Sequence, residues 1–273
     1  MTASPASLAT ARWGPQALRD YLVANAIAGT VATPRQDSLA KYQRMASGDP
    51  QCMFGLTFGR AWTALDVLAE MSRRCGVSSD PDVRQGPDFI DPWLTVQRLQ
   101  AMAERLREVA AAGGTVLMGS GHPAGLLAIH APLARHLRAA GCRVITPATG
   151  WHGQLTPGSE NEWGEIRYFE RVAVISRGAG LAHTHGPGPM QAMLTALADA
   201  GEPMPDLVLA DHGFAGAAGA AGLQVAGFAD CNDPALFIGE AEGRIVVSVP
   251  LDDNVQPGLY EPVTAFVLAQ AGL

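Results

Sequence analysis

The sequence predicts an α/β fold: a mostly parallel sheet of five or six strands flanked by helices, with an N-terminal helical cap. Three observations predict it. From Thr115 onward, short apolar runs alternate with helix-period segments across short connections, the pattern of strand–helix–strand units with right-handed crossovers. Before that point the apolar spacing is helical. Glycines and prolines fall where the elements should end.

Taken in order, residues 16–28 have apolar positions at helical spacing and end near Gly29. The stretch 30–35 reads as a loop leading to Asp37 or Ser38 as N-cap of a short helix through Met45. Residues 54–74 form an amphipathic helix candidate stopped by Gly76, and 77–91, rich in Pro, Asp, Ser and Gly, reads as loop. Residues 92–112 are a strong helix, with Pro92 in the first turn and Gly113-Gly114 as the stop. Then come strand 115–118, helix 123–140, strand 142–147 and a polar loop over 151–164. Runs 165–169 and 171–176 are extended and suit an antiparallel pair. Helix 186–200, strand 207–210, helix 214–221, strand 224–228, helix 233–241, strand 244–249 and helix 260–270 complete the chain. The loop at 77–91 divides an N-terminal cap, residues 1–91, from an α/β domain, residues 92–273.

Composition narrows the function classes. The 273 residues can bury a large core without disulfide or metal staples. Nineteen basic against 26 acidic residues leave a net charge of −7, and no basic stripe appears, so nucleic acid is not an expected partner. Cys52, Cys75, Cys142 and Cys231 are widely separated and make no C-x-x-C, which argues against a disulfide framework or a Cys-rich zinc site. No signal-peptide pattern and no apolar run of membrane-spanning length is present, so the expectation is a cytoplasmic protein without a membrane partner. Helices rich in Ala and Leu would suit a homodimer, and core packing explains them as well.

In open parallel sheets, ligands bind beyond the carboxyl ends of the strands. Four of the seven histidines, His122, His183, His185 and His212, follow predicted strands there, and this concentration points to an enzyme. Gly119-Ser120-Gly121-His122, followed by Gly125, is either a tight strand-to-helix turn or an anion cradle, in which N–H groups and the Ser120 hydroxyl hold a phosphate. Its G-x-G-x-x-x-G spacing is not the dinucleotide fingerprint. His183 and His185, two apart, face one side of an extended strand, which suits two metal ligands or a base with an electrostatic partner. Asp211-His212 sets a carboxylate beside an imidazole, able to orient or deprotonate a nucleophile, while Asp211 also fits a helix N-cap. Asp252 and Asp253 could hold a divalent cation such as Mg²⁺, or sit in a solvated turn. Asp230, Asn232 and Asp233 are weaker candidates, since Asp233-Pro234 reads as a cap. Basic groups for a phosphate are scarce: Arg35, Arg177 and the single lysine, Lys41.

Several phosphate-enzyme motifs are absent: Cys-x5-Arg, D-x-D-x-[TV], R-H-G, the P-loop and the G-x-S-x-G elbow. Yet residues 31–35 (V-A-T-P-R), Gly48-Asp49-Pro50, Gly121-His122-Pro123 with Gly125-Leu126-Leu127, His183-Thr184-His185, Asp211-His212-Gly213 and Asp252-Asp253-Asn254 together resemble a family of actinobacterial phosphatases acting on phosphate monoesters. The resemblance runs over nearly the whole chain. It implies phosphomonoester hydrolysis and a sugar-isomerase-like α/β fold for residues 92–273. Ala124 stands where the family pattern has Thr, and Gly186 and Gly188 stand for Ser and a bulkier residue, departures that would open the third cluster.

The expected function is hydrolysis of a small phosphate monoester, with a sugar, inositol or nucleotide phosphate as the substrate class. Gly119, Ser120, Gly121 and Arg35 would hold phosphate, and His122, His183, His185, Asp211 and His212 would carry the chemistry, by activating water or through a transient phosphohistidine. Two alternatives stay open: a metal-dependent C–N hydrolase on His183, His185, His212 and Asp252, distinguished by bound zinc without phosphate release, and a non-catalytic sugar-phosphate-binding module, distinguished by thermal stabilisation without turnover.

Overall fold

Residues 13–159 and 161–273 are described by a computed structural model of the chain. Its centre is a parallel sheet made of β3 (Thr115–Gly119), β9 (Leu207–Asp211), β10 (Val225–Ala229) and β11 (Val247–Pro250), in the order β11-β10-β9-β3. β10 and β9 are buried at every position, as are residues 116–119 of β3. Helices on both faces exclude water, and that demands near-continuous apolar runs rather than alternation.

The far side of β3 is shared. β4 (Arg143–Ile145) pairs with its first half, and β7 (Val172–Arg177) touches only its end, at Gly119↔Ala173. β7 therefore continues past the carboxyl edge of the sheet. There it is joined antiparallel by β6 (Trp163–Phe169), which carries β5 (His152–Gln154), and by β8 (Gly180–Ala182). The antiparallel pairing expected for 165–169 and 171–176 is present. Among the described residues the sheet has nine strands rather than five or six: seven correspond to predicted runs, and β5 and β8, three residues each, add two more. Runs that short have no readable period.

The N-terminal region has α1 (Pro15–Ala24), α2 (Arg35–Ala46), the single turn α3 (Pro50–Met53), α4 (Ala64–Cys75) and α5 (Pro92–Ala111). It is not wholly helical. Residues expected in loops form an antiparallel ribbon, β1 (Gly29–Pro34) with β2 (Pro87–Ile90). Each strand is short and proline-bounded, and its partner lies more than fifty residues away, so local pattern cannot reveal the pair. α4 starts ten residues later than the apolar spacing suggests. Phe54 adopts a left-handed φ of 55°, and a capping box, Thr63 with Asp66, sets the start at Ala64.

α6 (Pro123–Ala139) leaves β3, α7 (Gly188–Asp199) follows the β8 strand, α8 (His212–Ala220) leaves β9, α9 (Ala235–Ala241) leaves β10, and α10 (Glu261–Ala271) closes the chain. One continuous apolar core joins α1 and α4 to the sheet and α10. All four cysteines are buried and unpaired. Among the described residues no helix is long and apolar enough to cross a membrane.

Candidate active site

Five loops converge beyond the carboxyl ends of the parallel strands, around a pocket of about 460 Å³. It is lined by His122 after β3, His183 and His185 after β8, His212 after β9, Asp230 and Asp233 after β10, and Asp252 and Asp253 after β11. Thr33 and Lys41 close it from the N-terminal side.

His183 and His185 reach this pocket by an unexpected route. They do not follow β7 directly. The chain overshoots along β7, turns, and returns along β8, and the Thr184 N–H then donates to the Gly121 carbonyl at 2.9 Å. The four rings come together: His122 stacks on His183 at 4.6 Å, and His183 and His185 each lie 5.0 Å from His212, centroid to centroid. The notion that glycine at 186 and 188 opens this cluster is corrected. A Cβ on Gly186 would sit 2.1 Å from the Leu155 carbonyl oxygen, and one on Gly188 would sit 2.3 Å from that of Gln154. The space is filled by backbone.

The glycine turn after β3 does bind an anion, but the anion is internal. Asp211 Oδ1 accepts from the Gly121 N–H at 2.7 Å, the His122 N–H at 3.0 Å and His212 Nδ1 at 2.9 Å. Asp211 Oδ2 accepts from His130 Nε2 at 3.0 Å. The Ser120 N–H is spent on the Ala173 carbonyl, and the Ser120 side chain is fully buried. Gly119, Ser120 and Gly121 are therefore no phosphate cradle. The glycines are there for close packing: a Cβ would strike Phe214 at Gly119, the Thr184 carbonyl at Gly121 and the Asp253 carbonyl at Gly125. Asp211 also does not cap its own helix.

Arg35 is corrected as well. It is 1% exposed, and its guanidinium donates to the carbonyls of Val83, Ser78 and Asp80 and pairs with Asp88 at 3.4 Å. It clasps the 78–88 loop and is not among the residues that line the pocket. Replacing it with Met should cost about 3–5 kcal/mol, since one half of a buried pair is removed. KM for a phosphate ester should not move. Urea unfolding and initial rates read the two effects separately, and an unchanged unfolding midpoint with a raised KM would put Arg35 back at the ligand.

Electrostatics divide the histidines. Burial opposes charge on His212, but hydrogen bonds to Asp211 and Asp233 outweigh it and raise its pKa well above the usual value. Burial likewise opposes His122, and Asp253, 3.4 Å from Nδ1, outweighs it upward. Burial and the charge of His212 push both His183 and His185 down to about 4. Burial would raise Asp211, yet its bonds from His130 and His212 hold it far below the carboxylate range. Asp233 is lowered against burial by His212 and by Lys41, whose Nζ lies 2.9 Å away. Asp230 is raised by burial and then by Asp253 and Asp252, although Thr33 donates to it at 2.5 Å. Asp252 is raised by burial too.

Three participants were under-read in the sequence. Asp233 reads in the sequence mainly as a cap, but its carboxylate meets Lys41 and His212. Lys41, from the middle of α2, is the pocket's lysine and also bonds Asn232. His130 was missed. It is fully buried on α6 between Ile129 and Leu133, and a histidine on an apolar helix face is a signal that a buried partner awaits it. Arg177 lines a neighbouring depression of about 230 Å³ that shares His183 and His185. A separate depression of about 520 Å³, ringed by Arg135, Arg138, Arg143 and Arg171, brings no histidine or carboxylate with it.

Comparison with known proteins bears on this pocket. Residues 14–273 match the model of a family described as Phosphatase. A phosphatase of Streptomyces coelicolor is 47% identical over 258 residues, covering 94% of this chain and 95% of the relative. A match of that extent takes in every loop of the pocket.

Proposed function

This chain belongs to the Phosphatase family, and on that premise we propose that the histidine pocket hydrolyses a small phosphate monoester. The observation that carries the proposal is the convergence of His122, His183, His185, His212 and Lys41 on one pocket at the carboxyl ends of the strands. Its volume of about 460 Å³ suits a sugar, inositol or nucleotide phosphate. The phosphatase membership leaves the C–N hydrolase and the non-catalytic module without support.

In this reading Lys41 receives the phosphoryl oxygens. His122, with Asp253 beside Nδ1, hands its proton to the leaving alcohol as the P–O bond breaks. His183, stacked against it and neutral, takes a proton from the water whose oxygen forms the new bond to phosphorus. Asp211 and His130 sit behind His212 and hold its ring in place. Asp252 and Asp253 remain candidates for a divalent cation such as Mg²⁺.

A proton donor matters most when the leaving group is poor. His122→Ala should slow release of phosphate from an alkyl ester by roughly 10²–10⁴-fold and from a nitrophenyl ester by much less. Phosphate release measured on both esters decides the point. Equal losses on the two would remove His122 from proton donation, and no release from any ester by the wild-type protein would end the proposal.

A further inference from the structure

We propose that His185, His212 and Asp233 bind a divalent transition-metal ion of the zinc or manganese class, with Asp253 as a fourth ligand. This deepens the phosphatase reading and rests on it for the ion's use, but not for the geometry.

The first argument is where the ring protons lie. His185 Nδ1 is 2.8 Å from the Gln51 carbonyl oxygen, and His212 Nδ1 is 2.9 Å from Asp211 Oδ1. A carbonyl and an ionised carboxylate can only accept, so both Nδ1 atoms carry hydrogen and point away from the pocket. Each ring turns its Nε2 to the pocket, and on His212 a bound ion would take the place of the proton held there between the ring and Asp233. Outer acceptors behind metal-ligating histidines are the usual means of fixing the tautomer. Asp211 is itself fixed by two backbone N–H groups and His130.

The second is spacing. His212 Nε2 lies 3.4 Å from Asp233 Oδ2 and 3.6 Å from Asp253 Oδ2. These separations are long for charged hydrogen bonds. They match the roughly 3.4 Å between neighbouring ligands of a tetrahedral ion bound at about 2.1 Å. One ligand atom from each of His185, His212 and Asp233 falls within 4.8 Å of the others.

The third is an orphaned acceptor. Asp253 Oδ2 is buried and, among the described residues, has no hydrogen-bond partner, on a residue only 5% exposed. A desolvated carboxylate oxygen facing a ligand set calls for positive charge. The fourth is the charge around the pocket. Asp230, Asp233, Asp252 and Asp253 face it with Lys41 as the permanently charged cation among its lining residues. A bound cation would offset these carboxylates where a phosphate dianion enters.

His122, His183 and His212 also lie close enough to share an ion. That trio is less suited. Among the described residues His183 has no acceptor behind its ring, and His122 Nδ1 is itself without a hydrogen bond. Left outside the metal set, these two rings stay available for proton transfer. A bound ion would supply charge to a phosphoryl oxygen and acidify a water beside it.

The test is to strip the protein with a chelator and titrate Co²⁺, with no phosphate ester present. The expected result is saturable binding with the intense visible bands of a four- or five-coordinate ion, displaced by Zn²⁺. His185→Gln and Asp233→Asn should each weaken it at least tenfold. Absence of such bands, or bands unchanged in both variants, overturns the proposal. X-ray absorption of the zinc-loaded wild type needs no variant: two imidazoles with oxygen ligands support the site, and a shell without imidazole refutes it. Because neither readout involves turnover, failure here leaves phosphate release untouched, and the reverse holds as well.

Discussion

Asp211→Asn should lower kcat by about 10³–10⁴-fold, the scale seen when a carboxylate behind a catalytic imidazole loses its charge. Its stability should fall much less than that of Asp211→Ala. Three of the four donors around Asp211 converge on Oδ1, and an asparagine oxygen can keep them. The fourth, His130 Nε2, would face an amide NH₂ instead. His130 can adapt, because its Nδ1 is buried, has no partner among the described residues, and can take the proton. What asparagine cannot supply is the negative charge that, together with Asp233, holds the proton on His212. Alanine removes the acceptor itself and strands two backbone N–H groups and two imidazoles, at about 3–5 kcal/mol. Turnover of a phosphate ester and urea unfolding of the two variants read these effects apart. Near-normal turnover in the asparagine variant would mean that Asp211 is a packing element and nothing more.

Gly213→Ala should damage both stability and activity, through backbone rather than chemistry. A Cβ there would lie 2.3 Å from the Gly186 carbonyl oxygen and 2.4 Å from that of His185. Both obstacles are main chain, so no rotamer change relieves them. Overpacking of this kind costs about 1–3 kcal/mol or more. The loop that must yield carries His183 and His185. A displacement of about 1 Å at that loop would cost roughly 10²-fold in rate. Gly14→Ala is the matched control: among the described residues nothing lies within 4 Å of a Cβ built there, and its φ is −76°. It should stay within about 0.5 kcal/mol of wild type. Thermal melting and kcat of the two alanine variants make the comparison. A Gly213 variant that melts and turns over like the Gly14 one would show that the β8 loop is not pinned against α8.

Much of this architecture was legible because it is written in local periodicity. The strands starting at Thr115, Leu207 and Val225 are short, apolar and bounded by glycine or polar turns, and each was predicted within about two residues. Pro92 and Gly113 frame α5 as capping chemistry requires. The ribbon of β1 and β2 was not legible, since strand pairing is decided by a distant partner and not by the six and four residues of the strands themselves. Nor was the start of α4, although the Thr63-x-x-Asp66 capping box was present in the sequence.

For the pocket, the candidates His122, His212, Asp252 and Asp253 are identifiable because residues after parallel strands share one edge of a sheet, whereas His183 and His185 arrive there along the antiparallel β8. That much follows from the chain alone: the order of strands, the edge, and the reactive side chains it collects. Tertiary structure decided what each of them faces. The turn at Gly121 offers the same N–H groups to phosphate or to a carboxylate, and Asp211, ninety residues on, takes them. Arg35 carries the charge a phosphate wants, and Asp88 with three carbonyls consumes it. Hydrogen-bond donors and charges are satisfied by whatever comes nearest in space, and sequence distance carries no information about that neighbour.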